Sequence, residues 1–247
     1  LELLATPEMQ RLQGVNQYGI WDLFDPKYFT SRYEHSVGVY LLLHQFNTTR
    51  EEQIAGLLHD ISHTAFSHVI DYVFDDSESQ SVHEKFHHQV IFASQIPSIL
   101  QKYSLDINHV IDEYNFPLLE KNLPDLCADR LDYFMRDSSL IGVSTKQNIS
   151  QILSALTIHN NEFIFNQKDT AYMASQKFIE TCLQFWGPPI QSGSYTVMGN
   201  ILKLALDKKI ITPRDFFSTD KVLLQKLKDS QDKDITNQFN LFSYDRI

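Results

Sequence analysis

The run Ile54-Ala-Gly-Leu-Leu-His-Asp-Ile-Ser-His-Thr-Ala-Phe-Ser-His-Val-Ile-Asp71 constrains this chain more than any other stretch. It opens as an apolar helix of the kind that fills a core. It then places His59, Asp60, His63, His68 and Asp71 close together. Each of these is costly to bury without a partner. Any fold must therefore bring neighbours to the end of this helix, and a metal ion satisfies most of the cluster at once. A lone His-Asp pair would carry little weight, because a single His on an apolar face is more often a satisfied core group. Two further segments add weight. His35 stands near the head of an apolar helix expected over 31–43, and Asp129 lies in Cys127-Ala-Asp-Arg-Leu-Asp-Tyr-Phe-Met-Arg-Asp137. Three separate helices then supply His35, the pair His59 and Asp60, and Asp129. Mixed nitrogen and oxygen donors suit one divalent ion, among Mn, Fe, Co, Ni, Zn and Mg, without naming it.

The rest of the chain reads as mainly helical. Thr6-Pro7-Glu8 is a helix start, with Thr as cap and Pro at the first helical position, continuing through Met9, Leu12 and Val15 toward Gly19. Trp21 to Phe29 is an aromatic loop whose rings, with Tyr18, are core more than a base-stacking platform. Thr49 caps a helix over 50–59, and Asp71 closes a short one. A polar loop covers 75–81, and a helix covers 82–96 and stops before Pro97. A short helix is expected over 105–113, and a longer one over 126–140 with Gly142 as its C-cap. At 156–165 two β-branched and aromatic runs flank Asn160-Asn161, which predicts a hairpin. Helix returns over 170–186, a loop spans 187–193, and further helices cover 195–210 and the turns after Thr212, Thr219 and Asp234. The expectation is an all-α (mainly α) helical bundle with one small β-hairpin near 156–165. It is read as a single domain over 1–247, with a metal-site core at about 30–142 and a hairpin and C-terminal helical part at about 150–247.

With 247 residues the chain is long enough for a sizeable core. Its 31 acidic and 21 basic side chains give a net charge of −10, and no basic run stands out, so broad attraction to nucleic acid or anionic lipid is disfavoured. No apolar run reaches the ~20 residues of a membrane helix. Cys127 and Cys182 lack metal-binding spacing and read as reduced core thiols, which fits a cytoplasmic protein. The first residues lack both a charged n-region and an initiator Met, so the chain is read as processed or as a fragment, with no signal peptide.

Three segments in this order carry a resemblance: Arg32-Tyr-Glu-His35-Ser-Val-Gly-Val, Ala55-Gly-Leu-Leu-His59-Asp60-Ile-Ser-His63 and Asp129-Arg-Leu-Asp-Tyr-Phe-Met-Arg-Asp137. They resemble the H…HD…D signature of the HD-domain metal-dependent phosphohydrolases. The wording is most similar to the deoxynucleoside triphosphate triphosphohydrolase branch, with Thr6-Pro-Glu-Met-Gln-Arg-Leu and Tyr195-Thr-Val-Met-Gly-Asn-Ile extending the likeness along nearly the whole chain. The resemblance implies that His35, His59, Asp60 and Asp129 hold the metal, and that His63, Asp71 and His83 do acid–base work beside it. It further implies that Arg32 and Arg130 meet a substrate phosphate, Arg130 standing where relatives usually carry Lys. Tyr133 and Asp137 would face the sugar, and Tyr195 would contact substrate. A nucleotide or other phosphoester substrate and, by family analogy, a homodimer follow.

Residue chemistry agrees with those roles. Arg32 lies one helical turn before His35 and shares its face, where a guanidinium can clamp a phosphate. Asp129, Asp132 and Tyr133 share a helix face. His68 is left open between a supporting polar group and a core one. His87 and His88 read as a solvated helix face, and His44 and His159 as incidental. One departure bears on substrate. The family branch carries basic side chains around the position of Tyr195, whereas Gly187-Pro-Pro-Ile-Gln-Ser-Gly-Ser-Tyr-Thr-Val-Met198 has none. A less charged substrate than a triphosphate is one consequence. A nucleotide-binding protein with altered or lost catalysis is another, and a di-iron HD oxygenase is a third reading.

Overall fold

The structure is a computed structural model and describes residues 1–74 and 84–242. These residues are mainly helical with one two-stranded antiparallel sheet. They gather into two compact units that interleave along the sequence. One unit takes its residues from 1–34, 60–102 and 189–247, the other from 35–59 and 103–188. No helix among the described residues is long and apolar enough to cross a membrane.

In the 35–59 and 103–188 unit, the helix Arg32–Gln45 packs against Arg50–Leu58. Gly56 makes this close approach workable, since a Cβ there would sit 2.5 Å from Leu43. Thr49 caps the second helix as its sequence predicts, its hydroxyl accepting from the Glu52 backbone N–H. The buried Glu52 carboxylate in turn accepts from the Leu118 N–H at 3.0 Å. The 118–119 backbone then receives the N–H groups of Ala128 and Asp129, at 2.7 and 3.2 Å. A chain of polar contacts thus fixes the start of the helix Ala128–Leu140. That helix ends where expected, with Gly142 at φ +79°.

The hairpin forms as the turn chemistry demands. Strand β1 (Leu156–His159) pairs with β2 (Glu162–Phe165), with His159 opposite Glu162. Asn160 and Asn161 both take positive φ, 50° and 58°, as a two-residue hairpin turn requires. The buried Phe163 packs edge-to-face on Phe46. The helix Lys168–Thr181 follows, then widens into a π turn over Cys182–Trp186.

In the other unit, Met9, Leu12, Ile61, Phe66, Ile91, Ile96, Leu100, Met198 and Ile201 are buried. The helix Pro189–Asp207 packs on Val69–Val73, with Gly199 facing Tyr72. Several expectations are corrected here. The first helix is only Pro7–Arg11 followed by a 3-10 turn, because Val15 turns extended and Asn16 bridges Ser31. Pro97 does not end a helix. It lies at the second position of Ile96–Lys102, where no intrahelical donor is needed. The 187–193 loop is replaced by helix from Pro189 onward, for the same reason. His87 is buried and only His88 is on the solvent side.

Candidate metal centre

His35, His59 and Asp129 converge. Each offers one ligand atom, and these atoms lie within 4.8 Å of one another. His35 comes from the first turn of Arg32–Gln45, His59 from the cap position after Arg50–Leu58, and Asp129 from the first turn of Ala128–Leu140.

The tautomers follow from the outer nitrogens. His35 Nδ1 lies 2.8 Å from Asp132 Oδ2, and His59 Nδ1 lies 2.8 Å from the Gly56 carbonyl. An ionised carboxylate and a carbonyl only accept, so both Nδ1 atoms donate and both Nε2 atoms turn inward. The inward atoms are closely spaced: His35 Nε2 is 2.8 Å from Asp129 Oδ1, the two Nε2 atoms are 3.3 Å apart, and His59 Nε2 is 3.5 Å from Asp129 Oδ1. Three lone-pair atoms facing each other call for one positive centre between them. Metal–donor bonds of about 2.1 Å place neighbouring donors about 3 to 3.5 Å apart, so the spacing fits a borderline divalent ion.

Asp132 is the residue whose role the sequence does not disclose. Its carboxylate holds His35 and also takes Arg136 Nε at 2.6 Å. Gly38 leaves room for both, since a Cβ there would collide with the Asp132 carboxylate and the Arg136 guanidinium. A carboxylate behind a ligating imidazole fixes its orientation and raises its basicity.

Arg130 and Asp137 flank the same helix. Arg130 is 8% exposed, and its guanidinium donates to the Asp125 and Lys121 carbonyls. Asp137 is buried and accepts from Trp186 Nε1 at 2.7 Å. Tyr133 is half-buried and meets the Trp186 ring edge-to-face at 5.2 Å. Beside Asp129, Glu120 is pushed up to about 7 by burial and by the Asp129 charge.

The other unit holds the remaining candidates. Asp60 is buried, with Arg32 Nη1 at 2.8 Å on Oδ2 and His63 Nε2 at 3.2 Å from Oδ1. Arg32 also donates to Ser67 Oγ at 3.0 Å. Asp71 is fully buried, and its partner is His68, with Nδ1 at 3.1 Å from Oδ2. His68 packs edge-to-face on His63 at 5.0 Å. The geometry therefore places His68 beside Asp71 and His63. His83 lies outside the described residues. Tyr195 is buried, with Gly19 and Tyr72 against its ring.

The loop that carries His63 is strained and pinned. Phe66 and Ser67 both have positive φ, 62° and 49°. Such residues persist where their surroundings over-determine them. Asp220 accepts from the Phe66 and Asn16 backbone N–H groups at 2.7 Å each, and Arg11 donates to the Ile61 and His63 carbonyls at 3.0 and 2.7 Å.

Known proteins resemble this chain. The HD domain family model matches residues 32–137, from Arg32 to Asp137. The uncharacterized protein YdhJ of Bacillus subtilis is 37% identical over 235 residues, covering 95% of this chain and 72% of YdhJ. The metal-dependent phosphohydrolase cns2 of Cordyceps militaris is 33% identical over 208 residues, covering 82% of this chain and 60% of cns2. The deoxynucleoside triphosphate triphosphohydrolase SAMHD1 homolog of Dictyostelium discoideum is more distant, at 23% identity over 279 residues, with 95% of this chain and 53% of that protein covered. A crystal structure of a hypothetical protein from Aquifex aeolicus shares the fold, with a TM-score of 0.70 and 22% identity over 99% of this chain and 70% of the other. Convergent His and Asp ligands, the matched HD domain and a relative alike over 95% of this chain agree, and the chain belongs to the HD-domain family of metal-dependent phosphohydrolases.

Proposed function

We propose that this chain hydrolyses a phosphoester bond of a nucleotide with the help of one divalent ion. The observation that carries the reading is the convergence of His35 Nε2, His59 Nε2 and Asp129 Oδ1, with both imidazoles locked from behind. Asp60 is kept as a fourth ligand on the strength of the family His-Asp pair alone. A bound ion supplies Lewis-acid polarisation of the phosphoryl group and lowers the pKa of a bound water.

The chain's own residues supply the rest. The His68–Asp71 pair fits proton transfer to the departing oxygen: the buried carboxylate orients the ring. His63, bonded to Asp60 and packed on His68, belongs with that pair, and His83 is proposed with them from sequence. Arg32, whose guanidinium also holds Asp60 and Ser67, is kept for a phosphate oxygen on the strength of the family segment. Arg130 would have to release backbone carbonyls to do the same, so its role here is to brace the start of the Asp129 helix. Tyr133 and Asp137 face the sugar in this reading, and Tyr195 serves as a buried support for substrate contacts.

The uncharged run over 187–198 favours a substrate with fewer phosphates than a triphosphate, since each buried anionic oxygen wants a cation or strong donor. Triphosphate hydrolysis is the second reading, supported by the name of the more distant relative. One experiment separates them. Chelated protein is resupplied with Mn, Fe, Co, Ni, Zn or Mg and offered nucleoside mono-, di- and triphosphates, with products resolved by chromatography. Metal-dependent release of orthophosphate from monophosphates supports the first reading, and release of intact triphosphate supports the second. Full activity in the chelated sample, or no hydrolysis with any metal, overturns both.

A further inference from the structure

We propose that Trp186 is a positioning and specificity-determining residue, which holds Asp137 by its indole N–H and Tyr133 by its ring so that both meet the sugar of a nucleotide phosphoester. The inference rests on the phosphohydrolase reading above and adds a residue that the sequence motifs do not contain.

Asp129, Tyr133 and Asp137 recur every four residues, so the metal ligand, an aromatic ring and a carboxylate lie along one face of the helix Ala128–Leu140. Trp186 touches the second and third of them. Its Nε1 donates to Asp137 Oδ2 at 2.7 Å, and an indole N–H can only donate. Its ring meets Tyr133 at 5.2 Å and 81°, and Phe178 at 5.2 Å and 63°. Trp186 is thus held by Phe178 and holds Asp137 and Tyr133.

The backbone is shaped to deliver it. The turn Cys182–Trp186 is a π turn, closed by the Gly187 N–H on the Cys182 carbonyl at 2.7 Å. A Cβ on Gly187 would lie 2.8 Å from that carbonyl oxygen, so the turn depends on glycine. A π turn shifts the phase of the following side chains by about 100° relative to an unbroken α-helix, and such turns concentrate at functional sites. The chemistry presented is that of sugar recognition. Half-buried faces of Tyr133 and Trp186 suit the C–H surface of a ring, and the buried Asp137 carboxylate suits a hydroxyl donor.

The test compares Trp186→Phe, Asp137→Asn and the double variant in the metal-loaded enzyme. Trp186→Phe keeps an aromatic ring but loses the N–H together with one of the two fused rings. Two probes are used: nucleoside monophosphates, and p-nitrophenyl phosphate, which has no sugar. The expected result for Trp186→Phe is a KM for the nucleotide raised about tenfold, the scale of one hydrogen bond to a charged group, with p-nitrophenyl phosphate turnover retained. The double variant should be no worse than Asp137→Asn. Phe163→Leu, buried against Phe46 in the hairpin, serves as the packing control and should lower the melting temperature without changing the ratio between the two probes. Proportional loss on both probes, or no change on either, overturns the inference. If wild type cleaves p-nitrophenyl phosphate but neither cleaves nor binds nucleotides, the inference fails while phosphohydrolysis stands. If wild type cleaves neither probe, that reading fails, and calorimetric nucleotide binding still decides the role of Trp186: tenfold weaker binding in Trp186→Phe supports it, and equal or absent binding overturns it.

Discussion

At the residue scale, the metal centre depends on atoms that never touch the ion. His35 is oriented as a ligand because Asp132 accepts a hydrogen bond from its Nδ1–H at 2.8 Å. Asp132→Asn can present an amide oxygen to that proton but loses the charge that makes the imidazole more basic. Removing such a partner costs about 10- to 100-fold in metal affinity, which Mn titration calorimetry would read against an unchanged helical circular dichroism spectrum. Asp129→Ala removes a ligand outright and should abolish binding in the same assay. Equal affinity in Asp132→Asn and wild type would remove Asp132 from the site. These two aspartates also show the limit of reading a sequence. Asp129 was visible because it stands in a segment that resembles the family signature. Asp132 shares its face, but its partner is chosen by a second helix ninety-odd residues away in sequence, which no local pattern encodes. His68 was open for the same reason: spacing puts it near Asp71, and only coordinates show its Nδ1 3.1 Å from that carboxylate.

At the element scale, the helices are placed by a few polar and glycine contacts. Thr49 caps the helix that ends at His59, so Thr49→Ala should cost about 1 kcal/mol. In a chain of this size that lowers the melting temperature by about 2–4 °C, measurable by scanning calorimetry. Gly38→Ala should do more, because its methyl group would displace the Asp132 carboxylate. Overpacking of this kind costs about 1–3 kcal/mol, and here it should weaken Mn binding as well as stability. A stability loss with unaltered Mn affinity would show that Asp132 can move without cost to the site. Elements governed by local chemistry were legible. Asn160-Asn161 specified the hairpin, Thr49 specified a cap, and Gly142 specified a helix end. Pro188, Pro189 and Gly193 misled, because the same residues mark loops and first turns, and tertiary packing on Val69–Val73 decides between them. The π turn has no sequence signature beyond the glycine that closes it.

At the scale of the whole molecule, stability should depend on pH through buried carboxyls. Burial pushes Asp220 up from 3.8 to about 7, despite the backbone donors of Phe66 and Asn16 that favour its anion. A folded-state value above the unfolded one means that the folded protein binds the proton more tightly. The protonated form therefore suits the fold, and the contribution is fully present below about pH 4. It is lost progressively as the pH rises through 7, where the buried anion must be carried. Glu120, raised to about 7 in the other unit, acts with the same sign but adds little, because its side chain is more than a third exposed and screened by solvent. Denaturant unfolding at steps from pH 5 to pH 8.5 should show wild-type stability falling by an amount on the order of a few kcal/mol. Asp220→Asn should begin lower at pH 5, because an amide has one acceptor oxygen for two backbone donors and must turn its NH2 group toward the other. Its decline toward pH 8.5 should be shallower, since the group that titrates is gone. Parallel curves for the two proteins would mean that Asp220 remains ionised throughout, held by Arg11 and the loop donors, and that the pinning of the His63 loop is independent of pH.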